Sequence, residues 1–291
     1  MSAETILPHI KQPSRLSAFW RRFARNRAAV LGLILFIILV GMALFAGFIA
    51  PGDPLRRAGD ALVFPFMNSA NPLGTDQLGR DILAGIVHGA RISLLIGVVA
   101  TLISIIIGVI IGAIAGYFGG LIDDVLMRIT EAFQTIPSFI LLLALVAIFG
   151  STIENIIFCI GIVSWTAPAR MVRAEYMSLR QREFVEAARN LGCSNLSIIF
   201  KEILPSALPP VIVFASVIMA SSVLMEAALA FLGLSDANYA SWGNMIGQGR
   251  AVLQSQWYCA VIPGIAIFLT VLSFSLLGEG LNDALNPRQK K

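Results

Sequence analysis

Charged residues are scarce in this chain. Only 13% of its 291 residues are charged, whereas 57% are hydrophobic, and the mean hydropathy is +0.82. An ordinary soluble domain is about 45–50% apolar and about 25% charged. A soluble core cannot absorb this much apolar surface, so the composition indicates that a lipid bilayer surrounds most of the chain.

Metal ligands and catalytic motifs are also lacking. The three cysteines, Cys159, Cys193 and Cys259, have no ligand spacing, and His9 lies far from His88. This pattern argues against a zinc or haem site and against a disulfide framework. No HExxH, GxSxG or GxxxxGK[ST] motif is present. The sequence therefore predicts no catalytic residue, no metal site and no cofactor bound by this chain, and an intramembrane enzyme lacks its nucleophile and base.

Long apolar runs dominate what is there. A helix needs about 20 apolar residues to cross a bilayer, and six uncharged runs approach or exceed this length: 28–52, 92–122, 132–153, 155–169, 203–225 and 251–278. The fourth is the shortest, and we expect it to extend past Arg170 by tilting or snorkelling. The sequence thus predicts an all-α polytopic bundle with six transmembrane helices.

Basic residues cluster at the two ends of the chain. The first tail carries Lys11, Arg15, Arg21, Arg22, Arg25 and Arg27, and the last residues include Arg288, Lys290 and Lys291. Positive segments stay in the cytoplasm, so both termini are predicted to be cytoplasmic and no nucleic-acid partner is needed to explain the charge. The predicted segments are a cytoplasmic tail 1–27, a first transmembrane helix 28–50, an external segment 51–89, a five-helix core 90–285 with a cytoplasmic loop 173–207, and a cytoplasmic tail 286–291.

One polar stretch, EFVEAARNLGCSNLSIIFKEILP, begins at residue 183 inside this loop. Phe184, Ala188 and Leu191 recur at helical spacing and predict one apolar stripe. Glu186 lies four residues after Arg182, so an ion pair can form along another face. The first part of the stretch is therefore predicted to be a short amphipathic helix.

The second part of the stretch is predicted to be another short helix after a bend. Gly192 stands where a helix C-terminus favours a left-handed residue. Ser194 or Asn195 can cap the next helix, which is predicted to end at Pro205, with two more prolines behind it. Such a pair is either a solvated loop or a docking surface, and the pattern alone leaves both open.

The residues of this stretch resemble a known signature. "EAARNLG" followed by "ILP" resembles the cytoplasmic loop motif of permease subunits in binding-protein-dependent ABC importers, where the loop docks into the ATPase subunit. The resemblance implies an ATPase-coupling role for Glu183, Glu186, Ala187, Ala188, Gly192, Leu204 and Pro205. One position departs from the family pattern, because Glu202 stands where an isoleucine is usual.

Further stretches resemble the dipeptide, oligopeptide and nickel branch of these importers, in particular its second permease subunit. They are "FARNRAAVLGL" (23–33), "NPLGTDQLGRDIL" (71–83), "GARISLLIG" (89–97), "GAIAGYFGG" (112–120), "EAALAFLGL" (226–234) and "GEGLNDALNP" (278–287). The resemblance implies the type I ABC importer permease fold and a location in the bacterial cytoplasmic (inner) membrane. It also implies three kinds of partner: a homologous permease forming a heterodimer, two ATPase subunits carrying ATP and Mg, and a periplasmic or lipid-anchored binding protein.

The implied function is to form half of the pore of an ATP-driven importer for di- or oligopeptides. The same architecture is also compatible with nickel chelates, glutathione, opines or small oligosaccharides as cargo. A self-sufficient secondary transporter is a weaker alternative, because it predicts midplane charges in broken helices and inverted repeats, and neither is clear here.

Two further candidate sites remain open at this point. In "GTDQLGRDIL", Thr75 or Asp76 is predicted to cap a short helix lying on the outer membrane surface. The segment is either a capped start of the second span or an external gate or receptor-docking site formed by Thr75, Asp76, Gly79, Arg80 and Asp81. Glu226 lies deep in the predicted fifth span, where a buried acid is costly, and either a structural hydrogen bond or a role in the transport pathway can explain it.

Glycines in the second run predict close helix packing. They recur every four residues, a spacing that lets another helix approach the backbone: Gly108, Gly112, Gly116 and Gly120. The acids and base that follow, from Asp123 to Glu131, are predicted to form ion pairs at the membrane surface.

Overall fold

A computed structural model describes residues 15–285 of the chain, and it is helical with only isolated β-bridges in that range. The basic residues Lys11, Arg288, Lys290 and Lys291, and the predicted tail 286–291, lie outside the described residues. The helices are α1 Arg15–Arg25, α2 Arg27–Leu44, α3 Ala46–Ile49, α4 Ile82–Phe118, α5 Gly120–Thr135, α6 Ser138–Phe149, α7 Ile153–Ser164, α8 Thr166–Leu179, α9 Glu183–Asn190, α10 Asn195–Ser197, α11 Leu204–Phe231, α12 Trp242–Gly249 and α13 Tyr258–Leu285. A π-helical segment, Ile198–Ile203, joins α10 to α11.

Within the described residues, four continuous helical stretches are long and apolar enough to cross a membrane: α2, α4, α10 to α11, and α13. Two bent pairs raise the number to six if each pair is one span, α5 with α6 at 83° and α7 with α8 at 41°. The predicted run 132–153 is therefore not one straight helix. It breaks at Ile136, which is extended because the proline after it disfavours helical backbone. The fourth span does continue past Arg170, as predicted, and ends at Leu179.

The long helix α4 begins at Ile82, well before the uncharged run at residue 92 that predicted it. The charged residue Arg91 set the start of that run, but in the structure Arg91 lies within α4 and its charge is bound by backbone carbonyls. Its guanidinium donates to the carbonyls of Ala43 and Leu44 at 2.5 and 3.2 Å, at the C-terminal end of α2. The last carbonyls of a helix lack internal donors and carry partial negative charge, so this arginine stabilises the join between α2 and α4.

Three of the four recurring glycines pack α4 against α8, as predicted. A Cβ added at Gly116 would lie 2.6 Å from the Cβ of Tyr176, and Gly108 and Gly112 leave as little room. Gly120 is the exception, since it opens α5 with φ +53° and faces empty space. The helix α4 is central to the bundle, because α2, α7, α8 and α11 all pack against it.

Candidate functional sites at the two ends of the bundle

We call the end of the bundle that carries α9 and α10 the inner end, which is cytoplasmic on the predicted topology. The helix α9 stops at a Schellman turn, in which Gly192 has φ +77° and its amide donates to the Arg189 carbonyl at 2.9 Å. The next amide donates to the Ala188 carbonyl at 3.1 Å, completing the motif. Ser194 then caps α10 by accepting from the Ser197 amide at 3.3 Å. The predicted left-handed glycine and serine cap are confirmed.

The apolar stripe predicted for α9 does not face the bundle. Val185 and Ala188 are the buried residues of this helix, whereas Phe184 is 40% exposed and Leu191 is 84% exposed. The prediction of Phe184, Ala188 and Leu191 as one stripe was wrong because periodicity marks an apolar face without saying what covers it. The predicted ion pair is also missing, since no salt bridge involves α9 within residues 15–285.

Tyrosines instead attach residues 183–205, which we call the inner loop, to the bundle. The Tyr117 hydroxyl donates to Asn195 Oδ1 at 2.8 Å, and the Tyr176 hydroxyl donates to the Ile199 carbonyl at 3.0 Å. The Arg189 guanidinium lies 5.4 Å from the centre of the Tyr117 ring, a cation–π contact. These long-range contacts had no local signal in the sequence, because both tyrosines lie in other helices.

The helix that begins at Asn195 does not end at Pro205, contrary to the prediction. It continues through the π-helical segment into α11 and reaches Phe231. Pro205 lies in the first turn of α11, directly after the π-helical segment, where the hydrogen-bond ladder is already irregular and the missing N–H is tolerated. The Leu204 amide bonds to the Ile199 carbonyl across the π turn. The second half of the inner loop and a membrane helix are therefore one continuous helical body.

Most residues of the predicted coupling motif lie on the surface. The exposed ones are Glu183, Glu186, Ala187, Gly192 and Pro205. Ala188 lies on the buried face of α9, and Leu204 is half-buried. These two residues therefore pack against the bundle. Two more apolar side chains are exposed next to these motif residues along the chain, Leu196 in α10 and Phe200 in the π-helical segment.

At the opposite, outer end, Thr75 does not cap a helix. It is fully buried, and its hydroxyl donates to the Asp60 carbonyl at 2.6 Å while accepting from the Val63 amide at 2.9 Å. The Tyr258 hydroxyl donates to carbonyls of the same segment, including that of Thr75 at 3.2 Å. Thr75 thus fixes the fold of the external segment over the start of α13.

Residues 75–81 form turns, so the predicted surface helix is absent from this described segment. Asp76 Oδ1 accepts from the Leu78 and Arg80 amides at 2.8 Å each, and Gly79 has φ +73°. An aspartate that bonds its own backbone in this way favours a turn over a helix. The residue that caps α4 is Asp81, which accepts from the amide two residues later.

Asp76, Arg80 and Asp81 line a small pocket between the external segment and α12. Burial raises the pKa of Asp81 above its usual value, although hydrogen bonds from the amides of Leu83 and Ala84 oppose the shift. Three of the five residues predicted for an external site therefore share one surface, whereas Thr75 and Gly79 shape the turn beneath it.

Glu226 lies in α11 near the outer end and is only 3% exposed. Its Oε1 accepts from the Ser241 hydroxyl at 2.6 Å, and Ser241 in turn caps α12 by accepting from the Asn244 amide at 3.1 Å. Its Oε2 has no partner among the described residues and lies against Gly243, where an added Cβ would be 2.9 Å away. Of the two roles left open by the sequence, these contacts favour the structural one.

The helix α12 was missed in the sequence and is firmly held in the structure. Trp242 is fully buried, and its indole Nε1 donates to the Ile86 carbonyl of α4 at 2.9 Å. Gln77 of the external segment donates to the Gln248 carbonyl at 2.7 Å. The serine cap at residue 241 was the local signal for this helix, but the contacts that hold it come from distant parts of the chain.

These features define a polytopic helical membrane protein in which an exposed, capped loop is continuous with a membrane helix. Across residues 15–285, no group of three His, Cys, Asp or Glu side chains is placed to hold a metal ion. The family of binding-protein-dependent transport system inner membrane components matches residues 108–291, and the N-terminal transmembrane domain of oligopeptide transport permease C matches residues 14–71. The chain belongs to this family of ABC transporter permeases.

Named relatives cover almost the whole chain. The di/tripeptide transport system permease protein DppC of Pseudomonas aeruginosa is 38% identical, over 97% of this chain and 95% of its own. The dipeptide permease DppC of Escherichia coli K12 is 41% identical over 95% and 94% of the two chains. The glutathione transport system permease protein GsiD of Escherichia coli O157:H7 is 40% identical over 94% and 90%.

Solved structures support the same fold. The inward-facing MetNI methionine ABC transporter aligns with a TM-score of 0.53 and 20% identity, covering 68% of this chain and 96% of that one. An amino acid ABC transporter crystallised with histidines aligns with a TM-score of 0.52 and 18% identity, covering 68% and 92%. The predicted type I importer permease fold is confirmed.

Proposed function

We propose that this chain forms half of the translocation pore of an ATP-driven, binding-protein-dependent importer of di- and oligopeptides in the bacterial inner membrane. The observation that carries the proposal is the exposed inner loop on a helix that runs without interruption into the membrane. Family membership and the two dipeptide-permease relatives support the cargo class.

The inner loop has the composition of a protein interface. Phe184, Leu191 and Leu196 expose apolar surface, and Glu183 and Glu186 border it with charge. Exposed apolar surface with a polar rim is typical of partner contacts. In this proposal the partner is an ATPase subunit, which binds ATP and Mg, so the chain itself performs no catalysis.

The continuous helix supplies a route for coupling. A displacement of α10 by a moving ATPase is carried along α11 to Glu226, and from there through Ser241 to α12. The two permease halves then rock as bistable rigid bodies between inward and outward access. A homologous permease contributes the second half of the pore.

The outer surface is the proposed contact for the binding protein. The side chains of Asp76, Arg80 and Asp81 present charge beside α12, while Thr75 and Gly79 keep the turn in shape. On this proposal the external segment and the loop 173–207 lie on opposite sides of the membrane, and both termini are cytoplasmic.

Subunit composition tests the proposal directly. The tagged chain is purified from its native membranes in mild detergent, and every co-purifying subunit is identified and weighed. We expect one homologous permease and two ATPase chains per complex. A chain that purifies alone would contradict the proposal and revive the secondary-transporter alternative.

Two glycines provide a matched test of coupling. Gly192 and Gly233 both close Schellman turns, with φ +77° and +84°, and both have open space where a Cβ would be. Gly192→Asp and Gly233→Asp therefore impose similar backbone strain, but only the first lies on the inner loop. We expect Gly192→Asp to abolish substrate-stimulated ATP hydrolysis while membrane insertion is retained, and Gly233→Asp to keep stimulation. Normal stimulation in Gly192→Asp would exclude the coupling role.

Glutathione is a second candidate cargo, favoured by the relative named as a glutathione permease. The two are distinguished by uptake into proteoliposomes holding the complete transporter with its cognate binding protein. We expect a labelled dipeptide to be imported in preference to glutathione. Import of glutathione, or of a nickel chelate, in place of the dipeptide would reassign the cargo within the same architecture.

A further inference from the structure

The first described helix, α1, is strongly basic. Its sequence RLSAFWRRFAR has four arginines and no acid. Three of these, Arg21, Arg22 and Arg25, have exposed side chains, as has Arg27 at the start of α2. No carboxylate lies within 4.0 Å of any of these guanidinium groups in the described part of the chain. The helix therefore presents a concentrated positive charge that no carboxylate among the described residues neutralises.

The position of α1 is fixed by contacts to two membrane helices. The chain turns at Asn26, which caps α2 and donates to Asp283 of α13 at 2.8 Å. Phe23 is buried at this turn, and a Cβ added at Gly280 would lie 2.9 Å from its ring. Phe19 packs against the same cluster of α2 and α13 side chains. The helix is thus held at the N-terminal end of α2 and beside the C-terminal end of α13, two of the helices that are long and apolar enough to cross a membrane.

An exposed tryptophan beside the arginines is typical of a helix at a membrane–water interface. Trp20 is 50% exposed and makes edge contacts with Phe19 and Phe23, with ring centres 5.7 and 5.9 Å apart. Tryptophan is enriched at membrane–water interfaces because its ring is apolar and its N–H is polar. An exposed indole can contact the acyl chains of lipids, and the neighbouring guanidinium groups, which have no carboxylate partner among the described residues, can contact their phosphates.

We propose that α1 lies in the inner bilayer surface and binds the headgroups of anionic phospholipids through Arg21, Arg22 and Arg25. Guanidinium groups pair with phosphate oxygens in two-point contacts, and Trp20 enters the acyl boundary beside them. Basic amphipathic helices next to a membrane span bind anionic lipid in this way. The inference rests on the proposed topology, in which the inner end of the bundle faces the cytoplasm.

The test uses the complete transporter in detergent, titrated with fluorescent phosphatidylglycerol and with phosphatidylcholine as the neutral probe. The variant is the triple change Arg21→Gln, Arg22→Gln and Arg25→Gln, and its matched control replaces the same residues with Lys. Each arginine near an anionic surface contributes roughly fivefold in affinity, so we expect the Gln variant to bind phosphatidylglycerol on the order of 100-fold more weakly. The Lys control should stay within about fivefold of the original protein, because lysine keeps the charge that attracts anionic headgroups and loses only the two-point contact.

Two outcomes would overturn the proposal. One is unchanged phosphatidylglycerol binding in the Gln variant, and loss of the ATPase chains from that variant would then assign the arginines to a protein contact. The other is equal binding of phosphatidylcholine and phosphatidylglycerol by the unaltered protein. Because the titration needs no transport, it gives a result even if the proposed import function fails.

Discussion

The inner loop and the outer helix α12 are both short capped elements at the ends of α11, yet the chain holds them in different ways. Ser194 at the inner end is exposed, and its hydroxyl accepts from the Ser197 amide in its own turn. Ser241 at the outer end is buried and bonds the carboxyl of Glu226 as well as its own helix. The inner loop leaves Leu191 on its surface, whereas α12 buries Trp242 completely.

The difference indicates where each element finds its stabilising contacts. Buried aromatic surface and cross-helix hydrogen bonds contribute within the chain, so α12 is a fixed part of the bundle. Exposed apolar surface contributes only when a partner covers it. On the proposed function, the inner loop is shaped in advance by its caps and is covered by another subunit in the complex, whereas α12 finds its contacts within the chain.

Trp242→Ala should give the largest loss of stability. Truncating a fully buried aromatic residue costs about 3–5 kcal/mol, and this one also loses its indole bond to the Ile86 carbonyl. Denaturant unfolding of the purified complex in detergent measures the free energy of unfolding. Trp257→Ala is the control, because that residue is half exposed and should cost well under half as much. If both variants lost the same free energy of unfolding, the burial of Trp242 would not be what stabilises α12.

Ser241→Ala comes next, with an expected cost of about 2–3 kcal/mol, since it removes a helix cap and leaves a buried carboxyl without a partner. The double variant Ser241→Ala with Glu226→Gln completes a double-mutant cycle. We expect the two changes to be non-additive by about 1 kcal/mol, because the side chains are in contact. Simple additivity would mean that the Glu226–Ser241 contact does not hold α12.

The inner end also has a nearly buried ion pair, which allows buried and exposed contacts to be compared within the same end of the bundle. Asp123 in α5 accepts from both Arg173 Nε and, at 2.6 Å, Arg173 Nη2 in α8, and its side chain is nearly buried. The pair Arg128–Glu131 in the same region is largely exposed. Asp123→Asn should cost about 2 kcal/mol, whereas Glu131→Gln should cost about 0–0.5 kcal/mol. Thermal unfolding at low and high salt measures both, and similar losses would contradict the assignment.

Local signals predicted part of this architecture correctly. Gly192 and Ser194 act within a few residues of their partners, so their roles could be read from the sequence. The glycine spacing in α4 worked for Gly108, Gly112 and Gly116. It failed at Gly120, which the chain uses for a turn between helices.

Other features depended on distant partners and could not be predicted. A proline can end a helix or be tolerated within one, and only the continuous backbone from Asn195 shows that the helix passes through Pro205. The prediction of Phe184, Ala188 and Leu191 as one stripe was wrong, since Phe184 and Leu191 are exposed whereas Ala188 is buried. The contact of Glu226 with Ser241 joins two helices across an intervening loop, and no local pattern encodes it.

Ser194→Ala should have the smallest effect, and it tests the comparison most directly. Removing an exposed helix cap costs about 1 kcal/mol, and that cost should be confined to the inner loop. Hydrogen exchange of the amides around α9 and α10 should then become roughly fivefold faster in the isolated chain, while global unfolding changes little. Adding the ATPase subunits should restore the slow exchange, because on the proposed function they bind the inner loop and stabilise its folded form. If Ser194→Ala instead lowered global stability as much as Ser241→Ala, the inner loop would be as integrated as α12, and the contrast between the two ends would fail.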